Sequence, residues 1–341
     1  MTICEQKPKL NQTNIAAIYN NIAIVYNNQA KYEEALEWHF KALAIREKVL
    51  GKGHSDTAIS YHNIANVYQQ QGEYAEALEC YLKALEIEEK ALGKDNLNTA
   101  AIYSGVAVAY DNQAKYEEAL EWHFKALAIC EKVLGKGHPD TVASYMGIAS
   151  VYGEQGKYEE ALEWHFKALA IYEKVLGKDH PKTAGTYNNI ANVYNNQGKY
   201  KEALEWYYKA LAVKEKVLGK DHPDTAITYN NIADVYYDQG RYKKALESCF
   251  KALSIQEKVL GKGHPATAVT YNNIGEVYQA QGKNEEAIAL FLKAYRIFCD
   301  RLGSEHPDAK TCRANMEEAY TATGRKQPFA QWLEDQMSAK V

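Results

Sequence analysis

The sequence predicts an all-α solenoid, and three observations support that prediction. One pattern returns every 42 residues without insertion or deletion, giving seven full units and a degenerate eighth. Each unit contains two segments with apolar residues at three- and four-residue spacing, the pattern of amphipathic helices. A single helical hairpin cannot cover its own apolar face, so a fixed period indicates hairpins that stack on their neighbours. The register is given by the tyrosine that opens each unit: Tyr19, Tyr61, Tyr103, Tyr145, Tyr187, Tyr229 and Tyr271.

The first helix is illustrated by the fifth unit, residues 187–228. Its apolar stripe includes Tyr187, Ile190 and Tyr194. The stripe ends at a Gln-Gly-Lys turn, where Gly198 tolerates the positive φ that commonly terminates a helix. We therefore expect a helix that ends just before Gly198.

The second helix of the unit follows at once. Its apolar stripe runs from Tyr200 to Leu218, so this helix is predicted to be longer than the first, and it stops at Gly219. In the connecting segment, Asp221 is expected to cap the next helix, and Pro223 is tolerated in its first turn. Each unit is thus predicted to be a hairpin of two helices.

The spacing of these residues resembles the tetratricopeptide repeat signature, with Tyr for the usual Trp and Ala for the first-helix Gly. The unit is longer than the family's usual 34 residues because it continues through EKVLGK and HPDT. In this longer form it resembles the repeats of kinesin light chains. The resemblance covers residues 13–324 and implies a right-handed superhelical solenoid of helical hairpins. The positions that carry it are Tyr187, Ile190, Ala191, Tyr194, Gly198, Tyr200, Ala203, Tyr207 and Ala210.

Three segments are expected along the chain. Residues 1–12 form a short flexible leader without an apolar signal region, and residues 13–324 form the repeat array. Although 341 residues would ordinarily suggest two or three domains, the unbroken register argues for one elongated array. Residues 325–341 contain an amphipathic stretch that predicts a C-terminal capping helix. Its apolar residues are Phe329, Trp332, Leu333 and Met337.

Composition narrows the possible functions. The net charge of −4 provides no basic surface for nucleic acid or for an anionic membrane. Six cysteines occupy unrelated positions without a CxxC pattern, which is typical of reduced thiols, and no apolar run is long enough to span a membrane. A cytoplasmic protein is therefore expected.

Catalytic and metal sites are not expected. Most of the ten histidines recur because the repeat recurs, and residues one repeat apart are too far separated to converge on one ion. The sequence contains no GxGxxG, GxxxxGK[ST], HExxH or GxSxG motif. We therefore predict that the protein is not an enzyme and has neither a cofactor nor a bound metal.

The family resemblance implies that first helices line a concave groove in which extended peptides bind. We define the groove positions as those equivalent to Asn188, Asn189, Asn192, Asn195 and Asn196. In seven repeats these 35 positions hold 16 asparagines and no lysine or arginine. Asparagine is a mediocre helix former, so a ladder of amides that bond a peptide backbone would explain its abundance, whereas a solvated face copied by duplication is the alternative. The candidate site residues are Asn20, Asn21, Asn63, Asn66, Asn188, Asn189, Asn192, Asn196, Asn230, Asn231, Asp234, Asn272 and Asn273.

Charge and size at the groove positions predict the kind of ligand. Gly105, Val108, Met146 and Gly147 leave a smoother, less polar floor in repeats three and four, where a large apolar side chain could anchor. The expected partner is therefore a neutral-to-basic protein segment with one apolar anchor. The only groove positions expected to be ionised at neutral pH are acidic: Asp111, Glu154, Asp234, Asp238 and Glu276.

The function predicted from these features is a non-catalytic scaffold that binds an extended segment of a partner protein. One alternative is a kinesin-light-chain-like cargo adaptor, although the groove lacks the basic residues expected for acidic cargo. Another is the regulatory or sensor arm of a separately encoded enzyme. A pull-down that recovers a motor heavy chain, a catalytic protein or an unrelated client would separate the three.

Overall fold

A computed structural model describes the backbone of residues 3–338 and the side chains of residues 11–338. In this range the chain forms sixteen α-helices and no β-strand. They group into two compact units, with α1–α8 in unit 1 (residues 1–175) and α9–α16 in unit 2 (residues 176–341). The helices are α1 Ile3–Asn28, α2 Tyr32–Val49, α3 Ser55–Gln71, α4 Tyr74–Leu92, α5 Leu97–Asp111, α6 Tyr116–Val133, α7 Val142–Glu154, α8 Tyr158–Val175, α9 Pro181–Asn196, α10 Tyr200–Val217, α11 Pro223–Asp238, α12 Tyr242–Val259, α13 Pro265–Ala280, α14 Asn284–Arg301, α15 Pro307–Ala322 and α16 Phe329–Ser338.

The helices pair as the repeat predicts. Within each unit the two helices of a repeat pack together, as α3 with α4 and α11 with α12 do. Inside each unit, a second helix also contacts the first helix of the following repeat, as α4 contacts α5 and α10 contacts α11. The prediction of an all-α repeat solenoid built from helical hairpins is therefore confirmed. The handedness implied by the family resemblance stays a prediction.

Small residues lie where the two helices of a repeat approach each other. Ala191 on α9 and Ala203 on α10 are fully buried in one apolar cluster with Tyr207. A methyl group lets the helix axes come close, and the larger Tyr207 fills the space beside them. This packing explains why alanine recurs at both positions in the first six repeats, and why only the still smaller Gly275 replaces the first-helix alanine in the seventh.

A hydrogen bond between consecutive repeats explains the opening tyrosine. Tyr229, at the start of the sixth unit, donates its hydroxyl to Glu215 on α10 of the fifth, at 2.7 Å. The acceptor is the glutamate of the recurring EKVLGK segment, so two residues that recur in the repeat are hydrogen-bonded to each other. The same bond joins Tyr61 to Glu47, Tyr103 to Glu89, Tyr145 to Glu131 and Tyr271 to Glu257.

The caps of the first helices differ from the prediction. The N-cap of α11 is His222, whose Nδ1 accepts a hydrogen bond from the Asp224 amide at 3.1 Å, and Pro223 follows in the first turn. The prediction that Asp221 caps this helix is wrong, because Asp221 lies one residue too early and instead pairs with Lys258 of the next repeat. Histidine plays the same capping role in four other first helices, at His54, His180, His264 and His306.

The turn inside each repeat has the predicted left-handed residue. Gly198 follows α9 with a φ of +72°. In the first and third repeats an alanine takes this conformation instead, at Ala30 (φ 54°) and Ala114 (φ 57°). Because a Cβ is strained there, these two turns store energy that a glycine would release.

The two ends of the described chain can be compared with the predicted leader and the predicted C-terminal capping helix. Helix α1 begins at Ile3, inside the segment 1–12 assigned to a leader. At the other end, Phe329, Trp332 and Leu333 are buried in the cluster that also contains Tyr320, whereas Met337 is 41% exposed. Residues 1–2 and 339–341 of the two segments lie outside the described chain. The segment boundaries at residues 12 and 325, and a single array over 13–324, remain predictions.

Candidate functional site

The groove positions lie on the first helices of the repeats. In unit 1, α5 contacts both α3 and α7, and in unit 2 the helices α9, α11, α13 and α15 contact one another in sequence. Residues at equivalent positions of successive repeats are thereby brought side by side within each unit. Their hydrogen bonds and their solvent exposure differ from one groove position to the next.

The first groove position is structural in unit 2. The Asn188 amide donates to Thr228 Oγ1 at 3.0 Å, and the Asn230 amide donates to Thr270 Oγ1 at 2.7 Å. The two asparagines are only 5% and 8% exposed. This corrects their assignment to the groove surface, because their amides join consecutive repeats and a ligand cannot reach them.

The second position forms a ladder of amides between repeats of unit 2. Each asparagine donates to the third groove position of the preceding repeat. Two of the three bonds are long, and long hydrogen bonds are weak. We call these residues the amide ladder: Asn231 with Asn192 (3.4 Å), Asn273 with Asp234 (3.5 Å) and Asn315 with Glu276 (2.7 Å).

The eighth repeat extends the ladder beyond the seven that the sequence prediction considered. Asn315 on α15 also donates to Asn272 at 3.4 Å, and Asn272 itself donates to Glu276 on its own helix. The signal was available in the sequence, since Asn315 follows Asn273 by one period. It was missed because the opening tyrosine of that repeat is replaced by Arg313.

The remaining candidates of unit 2 lie near the protein surface. Asn192 and Asn196 on α9 are exposed, and Asn189 is half-buried. A tyrosine that the sequence analysis overlooked positions one of them, because Tyr207 on α10 donates its hydroxyl to Asn192 Oδ1. The orientation of this amide is therefore set by the second helix of the same repeat.

Unit 1 repeats part of this arrangement. The Asn63 amide on α3 donates to Asn20 Oδ1 on α1 at 2.8 Å, while Asn21 is exposed. Tyr81 on α4, equivalent to Tyr207, donates to Asn66 Oδ1 at 2.6 Å. Unit 1 thus has its own bonded pair of asparagines and its own tyrosine-held amide.

A recess lies beside these residues, over α5. Ser104, Gly105 and Val108 form part of its floor, and its volume is about 500 Å³. It is the kind of site expected for an apolar anchor in the third repeat. Its other lining residues come from α3, α4, α5, α6 and α7 and from the connection that follows α6: His62, Asn66, Gln69, Tyr81, Leu97, Ala100, Ala101, Cys130, Leu134, Asp140, Ala143 and Ser144.

The fourth repeat does not contribute as expected. Met146 and Gly147 are absent from the walls of this recess. A Cβ on Gly147 would collide with the imidazole of His123, so the second helix of the third repeat fills the space that the glycine leaves. The predicted smooth floor is therefore confined to the α5 side.

The acidic groove residues raise each other's pKa. Burial, together with the charge of Glu154, raises the pKa of Asp111 to about 6. The pKa of Asp234 is also raised, because protein atoms displace water around its inner side and Glu276 and Asp238 add like charge, although its outer side stays open to solvent. No lysine or arginine stands among the 35 groove positions, so the charge that these carboxyl groups carry when ionised is not neutralised within the groove.

The described part of the chain has neither a cluster of metal ligands nor a membrane-spanning helix. Among residues 11–338, no group of three histidine, cysteine or acidic side chains lies close enough together to hold a metal ion. None of the described helices has the length and apolar character needed to cross a bilayer.

Comparison with known proteins agrees with this architecture. The tetratricopeptide repeat family model matches six overlapping stretches: residues 14–87, 56–132, 112–174, 140–194, 182–248 and 233–300. No curated protein matches the chain.

Several solved structures are similar. A putative kinesin light chain of Podospora anserina with nearly identical TPR-like repeats is 29% identical, with a TM-score of 0.48 over 60% of this chain and 97% of its own. BtubC (BKLC) from P. vanneervenii is 23% identical, with a TM-score of 0.51 over 70% of this chain and 93% of its own. Aspartyl phosphate phosphatase F from Bacillus subtilis is 16% identical, with a TM-score of 0.63 over 90% of this chain and 74% of its own. At these identities BtubC and the phosphatase share the fold alone.

The family matches extend from residue 14 to residue 300, and they coincide with the helical hairpins described above. The chain therefore belongs to the tetratricopeptide repeat family.

Proposed function

We propose that this protein is a non-catalytic interaction scaffold that binds an extended segment of a partner protein along its first helices. The observation that carries the proposal is the amide ladder, whose member Asn192 is exposed together with the nearby Asn196. A side-chain amide has two donor hydrogens and an oxygen with two lone pairs. One bond to a neighbouring repeat leaves capacity for a peptide backbone.

The recess over α5 supports an apolar anchor in the ligand. Its volume of about 500 Å³ exceeds that of any one side chain, and small residues such as Ala101 and Gly105 form its floor. Concave, mostly apolar sites with a few polar groups are typical of binding sites. The polar groups here include Asn66 and Ser144.

The acidic groove residues favour a neutral or basic segment. Burial first, and then the like charges of Glu276 and Asp238, raise the pKa of Asp234, so these carboxylates repel one another in the unliganded groove. A lysine or arginine of the ligand would relieve this repulsion, whereas nucleic acid or an anionic membrane would increase it. The scattered cysteines fit a cytoplasmic location, which we include in the proposal.

The test replaces three groove asparagines together. Asn189→Ala, Asn192→Ala and Asn196→Ala should leave α9 intact, because alanine is the better helix former. Binding of a segment selected from a peptide array should weaken about ten-fold if two bonds are lost. The probe is the tightest array peptide, followed by fluorescence anisotropy.

A matched control changes three exposed residues of the neighbouring helix α10, Lys201, Glu202 and Glu205, to alanine. The control should bind the peptide like the wild type. If the groove variant does so too, the asparagines are a solvated face and the proposal fails. If the best array peptides are acidic and lose affinity as salt is added, the predicted charge preference is wrong.

A further inference from the structure

Unit 1 contains a carboxylate that is completely removed from solvent. Glu88 on α4 is 0% exposed. Its Oε2 accepts a hydrogen bond from Ser55 Oγ at 2.7 Å, and its Oε1 accepts one from Asn98 Nδ2 at 2.8 Å. Both donors are neutral, and no lysine, arginine or histidine among the described side chains forms an ion pair with it. A buried charge is costly unless it is paired.

Glu88 is one of the residues that line a cavity of about 230 Å³. The cavity lies between the N-terminal halves of α3 and α5, and its rim residues Ile59, Asn98 and Ala101 are exposed. His62 lines it as well, and the buried Nδ1 of His62 has no hydrogen-bond partner within the described chain. We call this cavity the Glu88 pocket; it is lined by Ala58, Ile59, His62, Glu88, Asn98, Ala101 and Ile102.

The polar residues of the Glu88 pocket are departures from the repeat. Ser55 stands where five other repeats have proline, which lacks a donor, and Asn98 stands where four have aspartate, which would repel a carboxylate. His62 stands where four repeats have asparagine. In a chain of near-identical copies, unrelated changes would scatter, yet Ser55 and Asn98 supply both donors of one carboxylate and His62 lines the same cavity.

Equivalent residues in unit 2 show what Glu88 lacks. Lys214 donates to Thr228 Oγ1 at 3.0 Å, and Gln256 accepts from Thr270 Oγ1 at 2.6 Å. In both cases a threonine on the first helix of the following repeat supplies a hydroxyl group. The residue equivalent to these threonines in the repeat after Glu88 is Ile102, which has no hydroxyl group. The missing partner leaves the carboxylate beside the cavity.

We propose that the Glu88 pocket binds a primary ammonium group carried on a short aliphatic stem. The ammonium would donate hydrogen bonds to Glu88 and to Nδ1 of His62, and the stem would contact Ala58, Ala101 and Ile102. Burial lowers the pKa of His62, so its imidazole stays neutral and can accept through Nδ1. A cavity of about 150 Å³ holds benzene, so the available volume is sufficient.

The first experiment titrates the full-length protein with butylammonium chloride while the His62 imidazole is followed by NMR. The proposal predicts a saturable shift of the His62 signal. Butanol, which lacks the charge, and tetramethylammonium, which lacks donors, should produce no saturable shift. If butylammonium gives none, or if butanol matches it, the proposal is overturned.

The variant Glu88→Gln removes the charge and keeps the size. Gln256 occupies the equivalent position of the sixth repeat, so the chain already accommodates glutamine there. Butylammonium should bind the variant at least ten-fold more weakly, while a thermal melt confirms that it is folded. Equal affinity would mean that Glu88 has a structural role only.

A second ligand distinguishes whether the pocket takes a lysine side chain of a partner protein or a free amine. Nα-acetyl-lysine N-methylamide presents a lysine side chain as a protein does. If it binds as tightly as butylammonium, the pocket takes a lysine of a partner, and if only butylammonium binds, it takes a free amine. The triple groove variant should bind butylammonium normally, so failure of this inference and failure of the proposed function are distinguishable.

Discussion

A Cβ on Gly105 would lie 2.5 Å from Cε1 of Tyr81, so the tyrosine ring occupies the volume that an asparagine would need at this groove position. Tyr81 is fully buried, and its hydroxyl is held by Asn66. The glycine of α5 is therefore matched to the second helix of the preceding repeat. Gly105 and Tyr81 both line the α5 recess.

The first prediction is that Gly105→Ala destabilises the protein. Alanine normally stabilises a helix interior relative to glycine, but here the added methyl must displace a buried ring, so we expect a loss of about 1–3 kcal/mol. Urea unfolding measures it. The control is Gly185→Ala on α9, where nothing lies within 4 Å of the new Cβ. A stable Gly105→Ala variant would mean that Tyr81 can move aside.

The second prediction concerns the left-handed alanine turn of the third repeat. Ala114 has a φ of 57° and an exposed side chain, so Ala114→Gly relieves strain without removing buried contacts. We expect a gain of about 0.5–1 kcal/mol after the larger chain entropy of unfolded glycine is subtracted. Gly198→Ala, at the equivalent turn of the fifth repeat, should change stability in the opposite direction. Two changes of the same sign in urea unfolding would contradict the explanation.

The sequence was sufficient for features repeated in every copy. The period located the hairpins, the Gly198 turn and the packing alanines, because the same physical requirement recurs at each of them. It could not separate Asn188 from Asn189, because neighbouring asparagines look alike. Only the three-dimensional arrangement brings Asn188 to Thr228, which lies 40 residues away.

Features specific to one repeat were harder to predict. In the repeat after Tyr207, the second groove position is Asn231. In the repeat after the equivalent Tyr81, the same position is Gly105, where a Cβ would collide with the tyrosine ring. The same residue type, held by an equivalent amide in both repeats, therefore has different neighbours on the next first helix. The Glu88 pocket was missed for a related reason, since its departures lie far apart in sequence.

The third prediction tests the packing alanines. Ala203 is fully buried where α10 approaches α9, so Ala203→Leu should overpack the hairpin and cost about 1–3 kcal/mol. Coupling in repeat proteins is between neighbours, so hydrogen exchange should rise chiefly in α9 and α10. Ala212→Leu, at an exposed position of the same helix, is the control. If both variants unfold like the wild type, the helix interface has been assigned to the wrong residues.

The last prediction is that acid weakens unit 1 through its buried histidines. Burial lowers the pKa of His123 and of His165 to about 4, and burial together with Arg46 does the same for His39. The unfolded chain binds these protons near pH 6.5, so folding stability is fully present above pH 6.5 and is lost as the pH falls toward 4. Each histidine accounts for roughly 3 kcal/mol over this window. Asp111 acts in the opposite direction, because its raised pKa favours the folded state on protonation.

The variant His123→Tyr isolates one histidine from these opposing effects. Tyr81 already packs against a glycine as His123 packs against Gly147, so a tyrosine should fit. We expect the variant to match the wild type near pH 7 and to be more stable by about 2 kcal/mol near pH 5. Hydrogen exchange of α6, measured on the full-length protein at both pH values, reports this difference. If the stability gap between variant and wild type is the same at both pH values, protonation of His123 does not control the acid sensitivity of unit 1.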